Sequence, residues 1–198
     1  MPSCMIHLLT AHIAAPGADA LFYIGAVAPD ALDDWRVKDR THLRDKPDRA
    51  AALAELARET APGEGFREGA LLHLYADWLW DESCLRRWLE SCGGRLGESD
   101  WVAAYRREIS LASGWVYHHG GWCRPLWEEM LAVPQEAYGA LPMVSPEDIR
   151  DYLTRNHAWH EANPGPASAF YPPGEVETFA AGAAAAYSRW RREIMAGL

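Results

Sequence analysis

The hydrophobic positions of this chain recur at helical spacing, and they are densest in residues 68–80, EGALLHLYADWLW. An apolar segment of this length favours a helix over a strand. The pattern continues to Leu89, so we predict one buried central helix over residues 66–91, ended by Gly93 and Gly94.

Weaker copies of the same periodicity predict further helices on both sides. We expect helices over residues 5–15, 19–28 and 48–60, one starting at Ser99 or Asp100, one starting at a Ser145 cap, and a last one after Pro172-Pro173-Gly174. The charged residues 31–47 and the Gly- and Trp-rich residues 114–127 are expected to be connections. No alternation of period two stands out. The sequence therefore predicts an all-α, single-domain multi-helix bundle over residues 1–198, packed around residues 68–80.

The composition supports a folded domain, and the net charge argues against some classes of binding partner. With 198 residues, 49% of them hydrophobic and ten Trp, the chain can bury a full core. Its net charge of −9 argues against duplex DNA or an anionic membrane as partner. The four Cys form no C-x-x-C pair, which favours reduced thiols. Without a basic leader or an apolar run of about 18 residues, we expect a cytoplasmic protein with no transmembrane segment.

The central helix carries two polar side chains in an apolar setting. His73 and Asp77 are four residues apart and therefore share one face. Burying an ionisable pair costs free energy unless it is compensated. The residues of this helix alone allow two ways to offset that cost: a hydrogen bond between the two side chains, or a divalent metal ion bound by both.

Three residues upstream carry the same kinds of ligand atom. His7 lies in the first apolar helix, Asp30 follows Pro29 at a predicted turn, and His42 lies in the charged segment. Each has an ordinary alternative role: a core histidine, a turn residue and a surface residue, respectively. Together with His73 and Asp77 they form a set of five candidate metal ligands.

The order of these residues resembles the zinc-dependent phospholipase C family, whose relatives include zinc-dependent single-strand nucleases. Four short motifs within residues 5–80 carry the resemblance: MIHLL around His7, LFYIGAVAPD ending at Asp30, KDRTH ending at His42, and GALLHLYAD containing His73 and Asp77. The second is similar to a segment of the family's small bacterial members. The resemblance implies a phospholipase C-like helical fold and a hydrolase that acts on phosphoesters.

The resemblance also implies a role for each ligand. Asp30, His42, His73 and Asp77 would hold one zinc, and Asp77 would bridge to a second metal that His7 also binds. Asp30 would serve as the catalytic base toward the attacking water, whose pKa a bound zinc lowers towards ~7. The implied substrate is a small-molecule phosphoester or a lipid-like one, such as a phospholipid headgroup.

The chain departs from the family pattern in ways that reduce the expected metal count to one or two ions. Large members chelate one metal through an N-terminal Trp, whereas this chain begins Met1-Pro2. Ser83 stands where the family has a histidine, and a later His-x-x-x-carboxylate spacing recurs only at His157 and Glu161. These two residues, with His118 and His119, are candidates for additional metal or substrate contacts. Another divalent metal could replace zinc.

Two other function classes compete with this hypothesis. A non-catalytic metal- or ligand-binding protein on the same helical scaffold is the alternative that the missing ligands favour. A phosphohydrolase of the type built on an adjacent His-Asp pair is disfavoured, because none of the eight histidines is followed by Asp. The sequence leaves the substrate and the oligomeric state open.

Overall fold

The computed structural model describes residues 3–92 and 97–197. Within these ranges the chain forms helices joined by turns and contains no β-strand, which confirms the all-α prediction. The helices are α1 (Cys4–Ala14), α2 (Ala20–Gly25), α3 (Trp35–Thr41), α4 (Arg49–Glu59), α5 (Gly65–Trp80), α6 (Arg86–Cys92), α7 (Glu98–His119), α8 (Cys123–Ala132), α9 (Pro146–Ala162) and α10 (Pro173–Ala196). Ala28–Asp30 and Gln135–Ala137 are 3₁₀ turns, and Asp81–Leu85 is a π turn.

Side-chain caps explain where several of these helices begin. Asp19, Asp34 and Asp48 each accept a hydrogen bond from a backbone N–H in the first turn that follows. Ser145 does the same in a reciprocal capping box with Asp148. These side chains satisfy amide groups that have no partner inside the helix, which fixes the starting point.

The structure corrects the predicted connections. The segment over residues 31–47, predicted as a loop, contains α3, because Asp34 caps it. The predicted aromatic connection over 114–127 is the end of α7 followed by the start of α8, whose apolar face is buried.

The central helix is also revised. It is divided into α5 and α6 by the π turn, so one extra residue is inserted after Trp80. The predicted stop at Gly93 and Gly94 lies outside the described residues, as does the side chain of Ser99. The helix that follows begins at Glu98, after Gly97.

The core is built around α5, which packs against α2, α4, α10 and α1. Among these contacts, the crossing with α2 is made by backbone. A Cβ atom added to Gly69 would lie 2.0 Å from the carbonyl oxygen of Phe22, and one added to Gly25 would lie 1.9 Å from that of Phe66. Only glycine fits at both positions, so α2 and α5 approach more closely than side chains would permit.

Helix α1, which carries His7, is buried over its first half and packs against α10, α7 and α5. None of the described helices combines the length and the apolar character needed to cross a bilayer.

We expect Gly69→Ala to destabilise the protein by about 3 kcal/mol or more, because the added methyl group meets backbone atoms that must move apart. Gly182→Ala is the matched control: it lies in α10 with no atom within 4 Å of the added Cβ, so helix propensity should stabilise it by up to about 1 kcal/mol. Urea denaturation of the two variants measures the difference. Equal effects would contradict the close-approach account.

Candidate metal centre

The five predicted ligands converge at one buried site, although they come from four elements. His7 projects from α1, Asp30 ends the first 3₁₀ turn, His42 follows the last residue of α3, and His73 and Asp77 project from α5. None is more than 5% exposed. The fold thus places three imidazoles and two carboxylates together away from solvent.

Two of the imidazoles are oriented by backbone carbonyl groups. The Nδ1 atom of His73 lies 2.8 Å from the carbonyl oxygen of Ala26, and that of His42 lies 2.8 Å from the carbonyl oxygen of Lys38. A carbonyl oxygen only accepts, so each Nδ1 carries a proton and each Nε2 faces the cluster. The two Nε2 atoms face each other at 3.1 Å. At this distance the pair is joined either by a proton that one Nε2 donates to the other or by a cation that both bind.

The two carboxylates complete the ring of donor atoms. The Nε2 atom of His42 lies 3.5 Å from Oδ1 of Asp30 and 3.6 Å from Oδ2 of Asp77. The second oxygen of Asp77, Oδ1, points the other way and lies 3.6 Å from Nε2 of His7. Asp77 therefore stands between two donor sets, with one oxygen facing each.

His7 has polar atoms that the described protein does not satisfy. Its ring stacks on that of His73, with centroids 3.7 Å apart and planes 13° from parallel. Neither ring nitrogen of His7 has a hydrogen-bond partner among the described residues, and the same holds for Oδ1 of Asp77. Buried polar atoms without partners are rare because each costs free energy, and they point to an unseen ion or water.

The donor geometry fits a metal ion. Zinc with bonds of ~2.0–2.1 Å to a tetrahedral set keeps neighbouring donor atoms about 3.3–3.4 Å apart. The donor-to-donor distances between His42 and His73, between His42 and each carboxylate, and between His7 and Asp77 run from 3.1 to 3.6 Å. Within the described ranges, two groups of three residues have donor atoms that all lie within 4.8 Å of one another: His7, Asp30 and His73, and His42, His73 and Asp77. These buried clusters could hold a metal ion.

Three cations of the described residues lie against the carboxylates: Lys38, Arg44 and Arg49, none of which the sequence analysis assigned to the site. Lys38 lies 3.3 Å from Oδ1 of Asp30, and Arg44 lies 2.8 Å from Oδ2 of Asp77. Arg44 and Arg49 both bind Asp81 at 2.8 Å. Asp81 lies one turn beyond Asp77, so the spacing His-x-x-x-Asp-x-x-x-Asp was the available signal for this extension.

These contacts set the protonation states. Burial alone would raise the pKa of Asp30, but contact with His42 and the charge of Lys38 outweigh it and hold that pKa well below its usual range. Burial would likewise raise the pKa of Asp77, but His7, His42 and Arg44 lower it. Burial and the neighbouring His7 lower the pKa of His73. The site therefore combines ionised carboxylates with a neutral imidazole, which are the forms that bind metals.

An unusual turn positions Arg44. The amide of Leu43 donates to the carbonyl of Arg40, and the amide of Arg44 donates to that of Asp39, which closes α3 with a Schellman motif. Glycine is the common residue at the left-handed position of this motif, but here it is Leu43, at φ +58°. The turn directs Arg44 towards α5. Arg44 and Asp81 also line a cleft of about 520 Å³ whose opposite wall includes Trp101 and Arg106, so Arg44 connects the buried cluster with an open cavity.

The four additional candidates lie away from this cluster, in neither donor group. His118 and His119 are in the last turn of α7, where their rings contact the carbonyl oxygens of His160 and Trp115. His157 stacks on Trp127. Glu161 binds Tyr117 and, at 2.8 Å, Arg124.

No family model, curated protein or solved structure matches this chain at a significant level.

We expect Arg44→Met to destabilise the protein by about 3 kcal/mol, because it removes the closest cation from the fully buried Asp77. Arg86→Met is the matched control, since Arg86 pairs with Glu82 at the surface and should cost at most about 0.5 kcal/mol. Chemical denaturation of both variants tests this. A loss at Arg44 as small as that at Arg86 would show that the buried carboxylate does not depend on it.

A buried histidine beside the additional candidates makes stability depend on pH. His160 donates from Nδ1 to the carbonyl of Asn156 and accepts at Nε2 from Ser113. Burial, aided by His118 and His157, lowers its pKa to about 4. The unfolded chain therefore binds more protons between pH 6.5 and 4, and stability present above pH 6.5 is lost as the pH falls through this window.

We expect His160 to account for up to about 3 kcal/mol of this loss. His160→Gln should remove that part, so the stability advantage of the natural chain over the variant should shrink as the pH falls from 6.5 to 4. Denaturation curves across this range measure it. A constant difference would contradict the assignment.

Proposed function

We propose that this chain is a metal-dependent hydrolase that acts on phosphoesters, with zinc as its metal, and a small relative of the zinc-dependent phospholipase C family. One observation carries the proposal: the Nε2 atoms of His42 and His73 face each other at 3.1 Å inside the carboxylate cluster, while backbone carbonyls orient both rings through Nδ1. Histidine ligands of metals are oriented by such outer hydrogen bonds.

The donor set supports zinc over the harder divalent ions. Imidazole nitrogens and carboxylate oxygens are common zinc ligands, whereas magnesium and calcium favour sites made of oxygen. Asp30, His42, His73 and Asp77 would hold the first ion. His7 and Oδ1 of Asp77 offer a second, poorer position, so we propose one fully bound ion and a second of lower affinity.

A bound zinc would polarise a phosphoryl oxygen and lower the pKa of a coordinated water. The protein's own residues supply the rest. Asp30 is ionised and can accept a proton, although the low pKa caused by His42 and Lys38 makes it a weak base. Arg44 and Lys38 add positive charge beside the cluster, where an anionic phosphoester would be attracted. Trp101 and Leu85, in the wall of the adjoining cleft, suit an apolar substituent of the ester.

A second function is favoured by the charge balance. Lys38, Arg44 and Arg49 neutralise Asp30, Asp77 and Asp81 one for one, so the carboxylates are compensated even without an ion. All five candidate ligands are also nearly closed to solvent. These features suit a non-catalytic metal- or ligand-binding protein on the same scaffold. The two functions are distinguished by whether the zinc-loaded chain hydrolyses phosphoesters.

We expect the metal-free chain to take up one to two zinc ions when dialysed against zinc, as measured by elemental analysis. His73→Gln and Asp77→Asn should each lower zinc affinity at least 100-fold, because each removes a ligand from the centre of the set. His12→Gln is the matched control: His12 lies on α1 but stacks on Trp122 away from the cluster. Circular dichroism establishes that the variants fold. If the natural chain takes up no zinc, the metal site is refuted.

The zinc-loaded chain should hydrolyse members of a panel of phosphomonoesters and phosphodiesters, and Asp30→Asn should lower kcat more than it lowers zinc occupancy. Stoichiometric zinc without turnover across the panel would instead support the non-catalytic function.

A further inference from the structure

A second cavity lies beside the cluster and contains none of its five ligands. It has a volume of about 240 Å³ and is enclosed by the end of α3, by α4 and α5, and by residues 140–144. Its walls are mostly aliphatic: Leu56, Leu71, Leu74, Leu141 and Val144. An apolar cavity of ~150 Å³ already holds a benzene molecule, so this one has room for a larger apolar group.

Backbone strain coincides with this cavity. Among the described non-glycine residues, Leu43 at φ +58° and Met143 at φ +65° are those with positive φ, and both line the cavity. The left-handed conformation is unfavourable for both residue types. Such strain persists only where the surrounding structure imposes it, and it is concentrated at ligand sites. Met143 is also half exposed, at the edge of an otherwise apolar enclosure.

Two arginines lie at the rim of this mostly apolar cavity. Its charged lining residues are Arg40, Arg67 and Glu59. Arg67 forms an ion pair at 3.4 Å with Glu64, which lies outside the lining. Arg40 forms no ion pair with any acidic side chain that the structure describes. A planar guanidinium recognises a carboxylate through two parallel hydrogen bonds.

We propose that this cavity binds an unbranched alkyl carboxylate, with its chain among the leucines and its head group at Arg40 and Arg67. The aliphatic walls select an apolar chain, and Arg40, which has no ion pair with a described acidic side chain, can pair with one carboxylate. The site shares a wall with the metal cluster through Pro29 and Thr41, which are sequence neighbours of Asp30 and His42. It does not depend on the proposed phosphoester activity.

Isothermal titration of the zinc-dialysed full chain with octanoate tests the proposal, with octanol and octyltrimethylammonium as probes of matched chain length. We expect saturable binding of one octanoate, at least tenfold tighter than either probe, because only octanoate pairs with arginine. Absence of saturable binding, or octanol binding as tightly as octanoate, would overturn it.

Three variants locate the site. Ala140→Trp, at an exposed position of the lining, should fill the cavity and abolish octanoate binding. Arg40→Gln should weaken binding roughly tenfold. Arg58→Gln, an exposed arginine of α4 outside the lining, should leave it unchanged. Equal affinities of all three variants would place binding elsewhere and refute the proposal.

Leu43→Gly provides a test that does not rely on filling the cavity. It removes part of the wall and relieves the positive φ, so octanoate should bind more weakly while the melting temperature stays level or rises. Unchanged affinity in this variant, with its fold intact by circular dichroism, would contradict a role for the strained wall.

Discussion

The backbone contact between α2 and α5 is the constraint from which the candidate site follows. Because Gly25 and Gly69 carry no Cβ, the backbone of each helix packs directly against a backbone carbonyl of the other. That contact brings the carbonyl of Ala26 to 2.8 Å from Nδ1 of His73 and so fixes both the orientation and the tautomer of this ring. The 3₁₀ turn that ends at Asp30 comes directly after α2, so the same contact positions the first carboxylate.

The other side of the site depends on how α3 ends. Its Schellman turn sets His42 against α5 and directs Arg44 onto Asp77, at the cost of a left-handed Leu43. The result is a cluster in which protein cations already oppose each carboxylate, while both ring nitrogens of His7 lack a hydrogen-bond partner among the described residues. Charge compensation alone thus accounts for the acidic residues, but it leaves both ring nitrogens of His7 and Oδ1 of Asp77 without a hydrogen-bond partner among the described residues. These unpartnered atoms distinguish the cluster from a fully satisfied ion-pair network, and the cluster could hold a metal ion.

Local sequence signals predicted most helices and failed in identifiable places. The Ser145 cap, the helix-forming composition of α4 and the periodicity of α5 were sufficient, because each signal lies within its own helix. Helix α3 was missed because its residues are charged and none is buried, so it has no apolar stripe. Helix α8 was missed because flanking glycines and aromatics resemble a loop. The five candidate ligands were found in part through a family resemblance, whereas Arg44, Arg49 and Asp81 had no such guide.

The amino-acid sequence by itself determined the helical class, the Ser145 start of α9 and the shared face of His73 and Asp77, since these depend on spacing within one element. Tertiary structure decided that His7, Asp30 and His42 reach that face, which nitrogen of each oriented ring faces the cluster, and which cations oppose the carboxylates. Those outcomes depend on contacts between residues as distant in sequence as His7 and Asp77. Periodicity carries no information about such pairs, because it reports which side of a helix is buried and not what is buried against it.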